Sequence, residues 1–438
     1  MKLLSSATAA LLLGIASVSM VTAPVATAQD AEVKTKPSKE FSKVYNEAVK
    51  SFLADDEAAS KAAIPGLKAA VSKDDDGYML GSLMFSVGKK FKDPVLEIEG
   101  LDRMMASPLI PAAKIPLYHY EKGAAYYNDL KDYSLAAASF EKAYEHGLRR
   151  GDIEVNLANS YTLSKNYEKS VDWLVIAIDA NAAKGGGLRK DLYDQLVANS
   201  RRSRKPALIN KAYKAVLKRV PSDVYWRDAL LLFQRNSNLG VQETADLVRL
   251  VRAAGALGYR QQYSEYAEVV DSRRYPAEVA AVLEEGFASG VISKSEVTFS
   301  EIYNDAKGRV AGLRGGWDQD EREANASSRG YLAMLTGDAL LSFNEYGRAQ
   351  KMYEAALAKG GIAGNDGVDQ TDRAQMHLAM ALFGQGDLAR AKAEFAKTSS
   401  ANRKAVSEYW IIFIEHKLNP PAAPAEPAAP VTEAAPES

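Results

Sequence analysis

Between Leu117 and Lys184 the chain writes one stretch twice, at an offset of 34 residues. Tyr127, Tyr133, Ala136, Phe140 and Ala143 recur as Tyr161, Tyr167, Ser170, Leu174 and Ala177, and Ala124 recurs as Ala158. A period of that length marks stacked supersecondary units, none of which can bury its apolar face alone. The residue types say what the unit is. Ala124 and Ala136, then Ala158 and Ser170, are small where two antiparallel helices must approach. Tyr127 and Phe140, then Tyr161 and Leu174, are bulky where the gap between them has to be filled. Asp132 and Asn166 stand just before the second helix, where an N-cap accepts from an orphan backbone N–H.

The two units resemble tetratricopeptide repeats, with Tyr120 standing where that family prefers tryptophan. The resemblance implies an all-α fold, a tetratricopeptide-like helical repeat solenoid in which antiparallel helix pairs stack into a right-handed superhelix. It also implies that a protein or peptide partner lies in a concave groove lined by the first helix of each unit. Carried over, the groove positions are Tyr118, Glu121 and Asn128, then Asn156 and Asn159, then Asp194, Gln195 and Arg201. Some members clamp a terminal carboxylate with two lysines, two asparagines and an arginine. Here Asn156 fits one asparagine position, but Glu121, Ala125, Asp191 and Gln195 occupy the other four, so no clamp is expected.

Around this tandem the 438 residues divide by pattern. Residues 29–116 hold two degenerate helical pairs, Phe41 to Val71 broken near Asp55-Asp56, and Tyr78 to Met105 with Pro94 in a first helical turn. Pro108, Pro111 and Pro116 form a connector. Residues 117–294 carry the repeats. After a slip at Gly185-Gly186-Gly187, a third unit shows Tyr193, Ile209, Tyr213, Val216 and Pro221. A fourth begins near Trp226 and a fifth covers Tyr263 to Phe287. Residues 295–329 read as an irregular insertion with a glycine-rich loop, Gly312 to Asp318, whose Trp317 has no repeat position and is a loop candidate for recognition. Residues 330–418 hold two further units, one around Gly337, Tyr346 and Tyr353 and one around Leu378, Gly386-Asp387 and Phe395. A closing helix from Ala401 to Leu418 should cover the last repeat with Trp410, Ile412 and Phe413. Residues 419–438, with six prolines and seven alanines, are expected to be a disordered tail.

Chemistry is sparse. There is no cysteine, which excludes disulfides and thiolate sites. His119, His146, His377 and His416 show no metal spacing and read as surface or packing residues. No HExxH, Gly-x-Ser-x-Gly or phosphate loop is present, and the stretch from Asn365 to Asp369 lacks the ligand series of a calcium loop. No catalytic residue, metal or cofactor is expected. With 55 basic and 56 acidic residues the chain as a whole suits no polyelectrolyte. Locally, ten basic residues face two acidic ones between Gly185 and Pro221, including Arg201, Arg202, Arg204 and Lys205, a patch suited to an acidic partner.

Residues 1–28 read as a signal peptide: Lys2, an uncharged stretch from Leu3 to Ala23, and the small-x-small pattern Ala26-Thr27-Ala28 before Gln29. The expected address is therefore across the inner membrane, in the periplasm, with no stable membrane insertion after cleavage and no nucleic-acid partner. Together these readings point to a non-enzymatic scaffold or adaptor in the bacterial cell envelope. The alternatives are a cell-wall enzyme or enzyme accessory acting on envelope polymer, and a periplasmic holdase chaperone.

Overall fold

The computed structural model describes residues 33–420 apart from positions 151 and 365. The signal segment 1–28, Gln29, all but Asn419 and Pro420 of the tail, and Asn365 lie outside the described residues. Among the described residues the chain is helical throughout, with a single isolated bridge between Ala363 and Asp369. The fold is an all-α, tetratricopeptide-like array of antiparallel helix pairs. It divides into two compact units, the first ending at Ser203 and the second beginning at Arg204. The third repeat expected from the sequence is thus shared between them.

The first unit contains α1 (Lys39–Leu53), α2 (Glu57–Ala70), α3 (Asp74–Lys90), α4 (Pro94–Met105), α5 (Ile115–Ala125), α6 (Tyr133–Glu145), α7 (Ile153–Leu163), α8 (Tyr167–Ala183) and α9 (Lys190–Ser203). Each helix packs on its neighbours in sequence, the one-dimensional contact pattern of a repeat array.

The reversal inside each pair has one construction. A residue with left-handed backbone precedes the N-cap: Asp55 before Asp56, Lys92 before Asp93, Lys131 before Asp132, Lys165 before Asn166. The cap side chains accept from the N–H groups of Ala59, Leu96, Leu135 and Lys169. The N–H groups of Asp56, Asp93 and Asn166 bond back to the carbonyls of Ser51, Gly88 and Tyr161, closing the preceding helix. A non-glycine residue at positive φ costs about 1 kcal/mol, which the cap bonds offset. The first tandem unit differs in one respect. Its α5 runs on into a π turn, Tyr126–Leu130, so the Asp132 N–H reaches the carbonyl of Tyr126 instead.

Close approach is set by glycines that the repeat alignment does not mark. A Cβ at Gly88 would collide with the backbone nitrogen of Glu97, and one at Gly100 with that of Phe85. In the α5–α6 pair it is Gly123, not the half-buried Ala124, that lies against the Phe140 ring, where an added Cβ would stand at 2.7 Å. Phe140 is 2% exposed, with the Tyr120 ring 5.4 Å away.

The second unit contains α10 (Pro206–Leu217), α11 (Asp223–Asn236), α12 (Val241–Ala253), α13 (Arg260–Val270), α14 (Pro276–Ala288), α15 (Val297–Arg314), α16 (Trp317–Ala326), α17 (Tyr331–Ser342), α18 (Tyr346–Lys359), α19 (Thr371–Gly384), α20 (Leu388–Phe395) and α21 (Ala401–Leu418). Segment 295–329 corrects the expectation of an irregular insertion, because it forms two helices. Gly308 and Gly312 are taken up within α15, and only Gly315, ending α15, and Gly316, preceding α16, stand at the junction. Trp317 opens α16 and is buried, its ring edge-on to Phe343 at 4.8 Å, so it is a packing residue and not a presented loop side chain.

The closing helix α21 does more than cover α19 and α20. It also runs against α10 and α12, and it meets α11 through Trp226, edge-on to Phe413, and Phe233, packed on Tyr409. Lys214 pairs with Glu408, and His416 meets the carbonyl of Leu217. The first and last helices of this unit are thereby joined.

Two substitutions test the packing. Phe140→Ala should cost about 3–5 kcal/mol, the range for truncating a buried aromatic. Gly100→Ala should cost about 1–3 kcal/mol through overpacking against backbone. Denaturant unfolding of each variant measures both; a loss under about 0.5 kcal/mol, the size of a surface change, would contradict this helix register.

Candidate functional site

The first helices of the tandem, α5, α7 and α9, are tied side to side by polar groups. Asn156 Nδ2 donates to the Tyr120 hydroxyl at 3.2 Å. Gln195 Nε2 donates to Asn159 Oδ1 at 2.9 Å and to Thr162 Oγ1 at 3.2 Å. Asn199 Nδ2, fully buried, reaches Thr162 Oγ1 at 2.7 Å and Ser170 Oγ at 2.9 Å. The structure thus brings Asn156, Asn159 and Gln195 into one ladder and adds Tyr120, Thr162 and Asn199.

The other sequence candidates are placed differently. Glu121 is half-buried and ion-paired with Lys89 at 2.5 Å. Asn128 is exposed on the π turn, and Asp194 is exposed with Lys190 at 2.5 Å. Tyr118 does not line a groove. It is buried among Leu101 and Met104, its hydroxyl 3.4 Å from that of Tyr78, because its helical phase turns it toward α4. In the basic stretch Arg201 and Arg202 are exposed at the end of α9, where Arg202 donates to Asn199 Oδ1 at 3.2 Å. Arg204 and Lys205 are exposed at the start of the second unit.

Near Glu121 stands a residue that sequence reasoning passed over. Glu97 is 8% exposed, and burial pushes its carboxyl up to about 7, with Lys89 opposing and Glu121 and Asp129 adding to the rise. Its position follows from Gly88, which lets α4 approach so closely that Glu97 has no room to turn away.

In the second unit charged side chains meet in the core. His377 on α19 lies between two carboxylates, its Nδ1 2.6 Å from Asp338 Oδ1 and its Nε2 2.8 Å from Asp246 Oδ1. Arg373, one turn earlier, gives Nη2 to Asp338 and to the Tyr275 hydroxyl. Tyr353 donates to Asp338 at 2.7 Å. Arg249 forks onto Glu278 through Nε at 2.9 Å and Nη2 at 3.0 Å, and the Tyr266 hydroxyl donates to the same carboxylate at 2.7 Å. From α21, Arg403 reaches Asp246 at 3.3 Å and Glu243 at 3.1 Å. Asp246, Asp338 and His377 are each at most 3% exposed.

Burial alone would raise the Asp246 carboxyl, but His377, Arg403 and Arg249 reverse this and hold it at about 2. Asp338 is likewise driven well below the usual carboxylate range by Arg373 and His377 against its burial. Such groups are stable only together, since an unpaired buried charge is costly. The sequence signal was there as charged pairs at helical spacing on core faces, Asp246 with Arg249 and Arg373 with His377.

The remaining histidines serve packing. His119 and His146 stack at 5.6 Å with rings 9° from parallel, and burial followed by nearby Lys142 lowers the His119 imidazole. Among the described residues no three acidic or histidine side chains gather as a metal site, and no helix is long and apolar enough to cross a membrane.

Three outcomes follow for stability. Asp338→Ala should cost about 3–5 kcal/mol, because it strands Arg373 and His377. For the parent, the folded carboxyls of Asp246 and Asp338 lie below their ordinary 3.8. Their contribution is complete above about pH 4 and lost as pH falls toward 2, which acid unfolding should show. Glu97 has the opposite sign: with its carboxyl raised from 4.5 to about 7, its ionisation drains stability as pH rises through that window. Glu97→Gln should therefore stabilise the chain at pH 8 and leave it unchanged at pH 4.

No family model matches this chain, and no curated protein matches it. Among solved structures it is similar to Naa15/Naa10 bound to HypK-THB, at 14% identity over 83% of this chain with a TM-score of 0.28. The match spans 63% of that chain, under two thirds of its length. It is also similar to the TPR2AB domain of yeast Sti1 in complex with pHSP90, at 15% identity over 69% of this chain and 99% of that one, with a TM-score of 0.17. A third likeness is to a Rap protein complexed with competence and sporulation factor, at 14% identity over 87% and 99% of the two chains, with a TM-score of 0.19. At such scores none of these carries an argument about this chain, and its repeat architecture rests on its own paired helices.

Proposed function

We propose that this chain is a non-enzymatic adaptor or scaffold that captures a protein or peptide on the polar first-helix face of its first unit. One observation carries the reading. In the ladder of α5, α7 and α9, Asn156 keeps its Oδ1 and Asn159 its Nδ2 without a partner among the described residues. One acceptor and one donor therefore stand three residues apart on the same face of α7, each held in orientation by its other atom. That pair matches the alternating C=O and N–H groups of an extended backbone. Exposed Arg201 and Arg202 favour an acidic partner surface. The segment 1–28 favours export across a bacterial inner membrane, which puts the capture in the periplasm.

The test is crosslinking capture from the cell's own envelope fraction with the mature chain and two variants. Asn156→Ala combined with Asn159→Ala should reduce the captured partner about tenfold, while costing under about 1 kcal/mol of stability, since both lost bonds are partly solvated. Arg201→Glu combined with Arg202→Glu should slow association at low salt and flatten its salt dependence. Equal capture by parent and both variants would sink the proposal. Mass analysis of the exported chain should find Gln29 at its start; retention of Met1 would remove the periplasmic part of the reading.

A further inference from the structure

The second unit holds a cavity of about 430 Å³ beside the charge network, framed by α12, by the end of α13 with its turn into α14, and by α19. Much of its polar lining is already engaged. Asp246 is held by His377, Arg249 and Arg403, and Arg249 forks onto Glu278. Asp271, whose φ of +59° marks the tight turn, takes both Nε and Nη2 of Arg273.

Two groups are engaged only in part and two not at all. Arg373 is 5% exposed and lines the cavity, and beyond the Nη2 contacts to Asp338 and Tyr275 its Nε and Nη1 donors have no partner among the described residues. Arg274, whose side chain is 66% exposed, is tethered only by a long ion pair to Asp271, Nε to Oδ2 at 4.0 Å. The carboxylate of Glu268 and the amide of Gln242, both exposed, also line the cavity without a partner among the described residues. Between these polar groups the wall is small and apolar, from Ala245, Ala267 and Val270.

A deeply buried guanidinium with open donors selects a carboxylate, because charge-assisted bonds are strongest away from water. An unengaged carboxylate on the same cavity works against a simple polyanion and selects a ligand that also bears a cation. The volume is that of a small-molecule site. We propose that this cavity binds an α-amino-acid zwitterion, either a free amino acid or a short peptide with small side chains. Its carboxylate sits on Arg373 with Arg274 closing over it, and its ammonium is directed to Glu268. The site is separate from the capture face of the first unit and stands whether or not that face binds a partner.

Calorimetric titration of the full chain tests this with five probes: L-alanine, tri-alanine, tri-alanine amide, N-acetyl-tri-alanine and inorganic phosphate. At least one of L-alanine and tri-alanine should bind saturably, and the tighter of the two identifies the source as free amino acid or peptide. The amide and the acetylated peptide should each bind about tenfold more weakly than tri-alanine, the usual cost of losing a hydrogen bond to a charged group. Arg274→Gln and Glu268→Gln, both at exposed positions, should weaken the parent ligand by a similar factor with an unchanged Tm, and Glu268→Gln should not weaken the acetylated peptide further. The proposal is overturned if neither alanine probe binds, if the blocked peptides bind like the free one, if phosphate competes as well as tri-alanine, or if both variants bind like the parent.

Discussion

Helices of 8 to 18 residues gain most of their stability from packing and not from their own propensity, so each helix here depends on the reversal that returns the chain onto it. That reversal is one device used repeatedly. A left-handed residue lets the N–H of the next residue close the helix behind, while that residue's side chain starts the helix ahead. The second unit repeats it at Gly386-Asp387, and at Asn344-Glu345 it keeps the backbone closure to Leu340 without the side-chain cap. Where Asp, Asn or Ser caps are lacking, other groups do the work: Pro206 and Pro276 begin α10 and α14, where a missing N–H costs nothing.

Once paired, the two units find different ways to end. In the first, contacts run between adjacent helices and between successive first helices, and the polar ladder from Tyr120 to Asn199 fixes how far one pair is turned from the next. In the second, α21 joins the opening helices to the closing ones, and α17 packs back on α14 past α15 and α16. A core closed in this way leaves charged residues on several helices facing inward. They are tolerated because acid and base alternate: Glu278, Arg249, Asp246, His377, Asp338, Arg373. Removing water from the set makes each member dependent on the others, and it leaves the outer face of Arg373 against the neighbouring cavity, where an anion would find it.

What could be read in advance was what repeats locally. Tyr133, Ala136, Phe140 and their partners at 34 residues identify paired helices because burial of one helical face demands those types at that spacing. Asp132 and Asn166 identify helix starts because capping is settled within four residues. Trp317 misleads for the same reason in reverse. Its neighbouring glycines signal a break, but the break is two residues wide, and only Phe343, distant in sequence, explains the ring.

The sequence by itself therefore determined the helix pairs, their turns and the absence of thiol chemistry, all of which depend on residue type and short spacing. It also determined that Asn156 and Asn159 share a helix face. Only the tertiary structure decided which polar groups would be engaged and which left open. His377 and Asp246 are 131 residues apart in the chain, and Glu97 owes its raised carboxyl to the glycine that admits its backbone. Charge and burial act over distance in space, and no local pattern encodes which distant side chain will arrive to satisfy a given group.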